Sequence, residues 1–346
     1  MTQPVQHGPI ITEGSLSGLG IAGRRSLIAG AGALGFASRG NSQTRALPAG
    51  TLTIVVPFGA GSTNDIAARL VAPELATRLG QNVVVDNRGG AGGTVGIGQV
   101  VRSRPDGLTI ALVSATTMAI NRALFRNLPY DSARDLALLG IIGSTPNARI
   151  VSAESGITSF AELLALAKRP GVPPLRHSSP GNGTSQHLSA AQLAALAGIT
   201  VENIPYRGPA EGITGVLVGE VNFGFATVPS VAGLLRDGRL RALGTTGPQP
   251  STLSGVPTLV SLGYPAFANT DIWFGLAAPS AVPAATLALL RETLDQALAD
   301  AGLKDRLARA GFDAVPPRTP AQLDAFVATQ VTFWSELVGR SGVTMD

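Results

Sequence analysis

Two stretches of the chain combine glycines with small polar residues immediately ahead of a helical pattern. The first, Pro57-Phe58-Gly59-Ala60-Gly61-Ser62-Thr63-Asn64-Asp65, follows the apolar run Leu52 to Val56. The second, Ser178-Ser179-Pro180-Gly181-Asn182-Gly183-Thr184-Ser185-Gln186-His187, precedes the alanine-rich run Leu188 to Leu196. A strand that turns through glycine into a helix leaves the first backbone N–H groups without partners and adds roughly half a positive charge at that spot. That is chemistry for a carboxylate or phosphate. Candidate ligand-binding residues are therefore Phe58, Ala60, Gly61, Ser62, Asn64 and Asp65 in the first stretch, and Ser179, Gly183, Thr184, Ser185 and His187 in the second. Ser114 and Thr116 follow a third strand and add hydroxyls, while Ala226 and Thr227 close the apolar strand Val221 to Ala226. The same residues also serve plain helix starts. Ser62 and Asp65 have the spacing of a capping box, and His187 is placed to orient its loop through a helix-start hydrogen bond.

Other chemistries lack their residues. There is no cysteine, and the three histidines, His7, His177 and His187, show no i, i+4 pair, so no metal site and no thiol nucleophile is expected. Ser185 and His187 stand too close in sequence to form a nucleophile–base pair. The glycine run Gly89 to Gly93 has no G-K-[ST] ending for a phosphate cradle. Gly30-Ala31-Gly32-Ala33-Leu34-Gly35 fits G-x-G-x-x-G, but it follows two arginines and no βαβ unit surrounds it. No catalytic residue and no cofactor is expected. An α/β oxidoreductase or transferase using the glycine loops for a phosphorylated cofactor is the alternative, and it needs an acidic ribose contact or a phosphate lysine. Beyond residue 46 the only lysines are Lys168 and Lys304, outside every loop named here.

The elements that position these loops follow from composition and periodicity. With 346 residues, 45% of them hydrophobic and 14% charged, the chain has material for two packed α/β domains and is not disordered. Its formal charge is +4, yet residues 1 to 46 hold Arg24, Arg25, Arg39 and Arg45 against Glu13. Without them, 26 basic and 22 acidic residues become 22 and 21, a net of +1, which lacks the basic footprint of a nucleic-acid binder. Arg24-Arg25 ahead of an uncharged small-residue run reads as an export leader of twin-arginine character over residues 1–46, with cleavage after Ala46 or near Ala37. From Leu52 the chain reads strand, helix, strand, helix, strand to Val113. Helices are expected from Asn64 to Leu79, Thr94 to Arg102, Thr158 to Lys168, Leu188 to Leu196, Ala284 to Leu298, Ala301 to Gly311 and Thr319 to Glu336. Ligands of open parallel sheets sit beyond the carboxyl ends of strands, so the first three loops point to one crevice, and a second such loop far along the chain implies a cleft.

The ordered motifs resemble a known family, the periplasmic solute receptors of tripartite tricarboxylate transporters, also called Bug receptors. The resemblance rests on Pro57 to Arg69, Asp86-Asn87-Arg88-Gly89-Gly90-Ala91-Gly92-Gly93, Pro105-Asp106-Gly107, Leu128-Pro129-Tyr130-Asp131, Gly183 to Leu188, Ile204 to Gly208, Val256-Pro257-Thr258 and Trp273 to Pro279. It implies a type II periplasmic binding-protein fold, with domain I over 47–147 and 274–346 and domain II over 148–273. It also implies a monomer in the periplasm that holds a small organic acid between its domains for a membrane transporter. Recognition in the family runs largely through backbone amides and bridging waters. Ser62, Ala191 and Ala226 depart from the family pattern, where a second glycine, a glutamate and an aspartate are common. An alanine at 226 removes a partner for a ligand amino group and favours a simple carboxylate over an amino acid.

Overall fold

The computed structural model describes residues 47–249, 252–341 and 343; the expected leader, residues 1–46, lies outside them. The chain opens with β1 (Leu52–Val56), α1 (Thr63–Leu79), β2 (Val83–Asn87), α2 (Thr94–Val101) and β3 (Thr109–Ser114). A π-helical turn at Thr116–Ile120 leads to α3 (Asn121–Leu124) and the long strand β4 (Leu136–Thr145). Next come β5 (Asn147–Ser152), α4 (Phe160–Ala167), β6 (Leu175–Ser179), α5 (Ser185–Ala197), β7 (Val201–Pro205), α6 (Pro209–Leu217), β8 (Phe223–Thr227), α7 (Val228–Arg236) and β9 (Leu240–Thr245). The remainder is β10 (Ile272–Pro279), α8 (Ala284–Ala299), α9 (Ala301–Arg309) and α10 (Pro320–Ser341).

These strands make two five-stranded sheets in the orders β2-β1-β3-β10-β4 and β7-β6-β8-β5-β9. Both follow one plan. Three parallel strands are joined by helices, the fourth strand is antiparallel to its neighbours, and a fifth closes the edge. The chain changes sheets at Pro146, which has no N–H to donate to a ladder, and returns at Ile272. We call the two halves the first and second lobes.

The expected domain bounds put only a crossing between the domains at residues 273–274. Instead Ile272–Pro279 is a strand buried along its whole length between β3 and β4. Its unbroken apolar run fits a strand covered on both faces, which carries no period-2 signal. Gly275 is required there: a Cβ would lie 2.4 Å from the Gly140 carbonyl oxygen. Strands β4, β5, β7 and β9 likewise went unread. The first lobe's core is apolar along its strands, with Leu52, Ile54, Ile110, Leu112, Phe274 and Leu276 fully covered. Trp273 and Trp334 are also core residues, and both indoles donate to Gln330 Oε1, at 3.0 and 3.1 Å.

Candidate functional site

The loop after β1 is set by its own hydrogen bonds. Ser62, extended at φ −68° and ψ 157°, caps α1 by accepting from the Asp65 amide at 3.2 Å. Asp65 reaches back to accept from the Gly61 amide at 3.0 Å, one residue beyond the Ser62 amide that a capping box engages; Ser62 N–H donates to the Gly59 carbonyl. Burial raises the Asp65 carboxyl, but the Arg69 guanidinium at 2.9 Å, the Gly61 amide and Asn87 outweigh it and hold it below the usual carboxylate range. Asp65 thus orders the loop as an anion. The amide of Ile66 is used by the Ser62 carbonyl, which leaves those of Thr63 and Asn64 without acceptors among the described residues.

In the second lobe the loop after β6 does the same work with different groups. Gly183, at φ +76°, donates its N–H to His187 Nδ1 at 3.1 Å, and Thr184 donates its hydroxyl to the Gly181 carbonyl. Thr184 therefore makes no side-chain cap, and the amides of Ser185, Gln186 and His187 at the start of α5 stay open. Burial pushes the His187 imidazole down, so it remains the neutral acceptor that this bond needs. Ser185 Oγ bonds to Gln186 Oε1 and not to His187, so no nucleophile–base pair forms.

These two helix starts meet across a small cavity of about 30 Å³ between the lobes. It is lined by Phe58, Ser62, Asn64, Ser114, Thr116, Thr184, Ser185 and Thr227 from the sequence candidates. Reading by sequence missed Thr63, Pro180, Gln186, Pro209, Ile272 and Phe274. Thr63 and Gln186 sit inside the two polar stretches, and Phe274 in the Trp273-Phe274-Gly275 motif, so the signals were present. Pro209 opens α6, and its side of the cavity had none. A second, smaller space of about 10 Å³ shares Pro180, Gln186, Pro209 and Thr227 with the first, and Ser179 and Ala226 line it. Ala60, Gly61, Asp65, Gly183 and His187 line neither space: Ala60 and Gly61 are exposed, and the other three hold the loops. The Thr63 and Thr227 hydroxyls hydrogen-bond to each other, tying α1 to the end of β8. Among the described residues no charged side chain lines either space. A wider concavity of about 220 Å³ on the first lobe alone, between β4, α8 and α9, is lined by charged residues of both signs, Asp295, Lys304, Asp313 and Arg318.

The model of the tripartite tricarboxylate transporter family receptor matches residues 67–343. The chain belongs to this family. Receptors of the Bug group are among its relatives: Bordetella pertussis protein BugT is 31% identical over 301 residues, covering 86% of this chain and 91% of BugT. The structure of the periplasmic binding protein BugD superposes with a TM-score of 0.80 at 30% identity, covering 86% and 99% of the two chains. Rpa4515 of R. palustris, solved with adipate, gives 0.80 at 28% identity over 85% and 98%. The protein is thus a solute-binding receptor with the two-lobed periplasmic binding-protein fold, a family that is not an enzyme class.

Proposed function

We propose that this receptor captures a small carboxylate between its lobes and presents it to a membrane transporter, without catalysing a reaction. One observation carries the reading: the open amides of Thr63 and Asn64 from the first lobe and of Ser185 and Gln186 from the second flank one cavity that, among the described residues, no charged side chain lines. A helix start favours an anion by about 0.3–1 kcal/mol when exposed and up to roughly 2 kcal/mol when partly buried. Two such starts with hydroxyls from Ser62, Ser114, Thr116 and Thr227 hold a carboxylate without an arginine. Adipate in Rpa4515 is a ligand of this kind. The binding residues in this reading are the cavity-lining ones, supported by Asp65 and His187, and the domains are 47–147 with 274–346, and 148–273. The finer assignment is a monomer in the periplasm, delivered by a leader over 1–46; intact-mass measurement on protein from the native envelope checks the cleavage.

The test is calorimetric titration with small mono- and dicarboxylates, chosen by thermal shift. Wild type should bind at least one acid, and Ser185→Leu, which fills the cavity at the start of α5, should lower its affinity at least tenfold while circular dichroism shows an intact fold. Unchanged affinity in folded Ser185→Leu places the ligand elsewhere.

A further inference from the structure

Most polar groups around the cavity either donate or can do both: backbone amides donate, and hydroxyls turn to suit. Asn64 is different. It is 8% exposed, lines the cavity at the second position of α1, and its Oδ1 is buried with no hydrogen-bond partner. The other side-chain carbonyl in the lining, Gln186 Oε1, already accepts from Ser185 Oγ at 3.0 Å. A buried acceptor left unpaired carries its full desolvation cost, so the site is complete only when something gives it a hydrogen. A carboxylate cannot, having none to give.

From this, and resting on the carboxylate reading above, we propose that Asn64 selects acids bearing a hydroxyl close to the carboxylate, the 2- and 3-hydroxy acids. The amides that receive the carboxylate and the orphan carbonyl belong to neighbouring atoms of one residue and its predecessor. The donor on the ligand must therefore stand within two or three bonds of the carboxylate. An ammonium group also has hydrogens, but it brings a positive charge into a cavity that no acidic side chain lines and that the positive ends of two helix dipoles face. A hydroxyl satisfies Asn64 at no such cost. Discrimination should be large, because a site built to pair a hydroxyl is left with an unpaired group when the hydroxyl is missing.

The experiment is titration of the full-length mature receptor with matched trios: propionate, lactate and alanine; succinate, malate and aspartate; and phenylacetate, mandelate and phenylglycine. In wild type the hydroxy acid of at least one trio should bind about tenfold or more tighter than both companions, the factor expected for one buried hydrogen bond. In Asn64→Leu that ratio should fall to near one, because the hydroxy acid loses more affinity than the unsubstituted acid does. Asn64→Ala serves if the leucine variant does not fold, and the wild-type ratio is decisive by itself. Equal binding of hydroxy and plain acids, a preference for the amino acid, or a ratio that survives in both variants overturns the proposal and leaves the carboxylate reading standing. Binding of none of the acids brings down both.

Discussion

The two lobes share a strand order and differ in what they bury. Under the first sheet the strands bury apolar side chains and no charged one among the described residues, whereas the second covers Arg149, 1% exposed, and His177, wholly buried. Arg149 lies over three phenylalanine rings, Phe160, Phe223 and Phe225, at 4.7 to 5.1 Å from the centroids, and its Nε and Nη1 have no partner. His177 stacks on Phe223 at 5.5 Å with both ring nitrogens unpaired. Burial pulls the Arg149 guanidinium down to about 9, and burial, His187 and Arg149 together push the His177 imidazole down to about 3. One topology therefore tolerates both a dry core and one carrying an unpaired cation. The difference teaches that strand order is fixed by connection and burial pattern, while stability is set locally. Aromatic faces offset part of the cost of the cation, each by about 0.5–2 kcal/mol.

The widest separation between the lobes should come from paired core substitutions. Leu112→Ala, in the middle of the first sheet, should cost about 2–5 kcal/mol. Arg149→Met should do the opposite and stabilise by about 1–4 kcal/mol, since an apolar side chain of similar volume replaces an uncompensated charge. Urea midpoints at constant m measure both. A loss of stability in Arg149→Met would mean that the guanidinium is a net stabilising part of that core.

A smaller effect is expected from acid. The unfolded imidazole titrates near 6.5 and the folded His177 near 3, so between those values the unfolded chain binds a proton that the native protein refuses. The contribution of this group is present above pH 6.5 and is lost as pH falls towards 3, by about 2 kcal/mol at pH 5. His177→Phe should remove that part of the acid sensitivity. Melting temperatures of both proteins at pH 7.5 and 5.0 would differ in their drop; equal drops would show that His177 does not stay neutral.

The helix starts differ least. Ser62 caps α1 through its hydroxyl, so Ser62→Ala should cost about 1 kcal/mol. Thr184 directs its hydroxyl to the Gly181 carbonyl and caps nothing, so Thr184→Val should cost less than Ser62→Ala. Thermal unfolding of the two variants side by side decides the order.

The parts of the fold legible in the sequence were those with a local signature. Ser62 starts α1 by a rule that acts within a few residues, and β1 emerges from its apolar run. Strands β4 and β10 carried no alternation, because both faces are covered, and nothing local shows that Ile272–Pro279 inserts between β3 and β4. In the site, the two polar stretches named most of the lining from the residue types alone. Asp65 and His187 were harder to place, since an anion or an imidazole beside a helix start reads equally as contact or support. Gly61 N–H donating to Asp65 and Gly183 N–H donating to His187 decide for support. Pro209 and Ile272 come to the cavity by tertiary packing, which no spacing in the chain announces.

The position of β10 bears on the order in which the chain can be completed. All five strands of the second sheet lie between Asn147 and Thr245, so that sheet has every strand once Thr245 has left the ribosome or the export channel. The first sheet does not. β4, ten residues long and mostly apolar, has β10 as its neighbour in the sheet, and β3 keeps an open edge until Ile272–Pro279 appears. An exposed apolar strand waiting for a distant partner invites mispairing between chains. The half that begins first should thus be the half that finishes last, and a nascent chain halted before Ile272 should aggregate through Leu136–Thr145, whereas one halted after Pro279 should not.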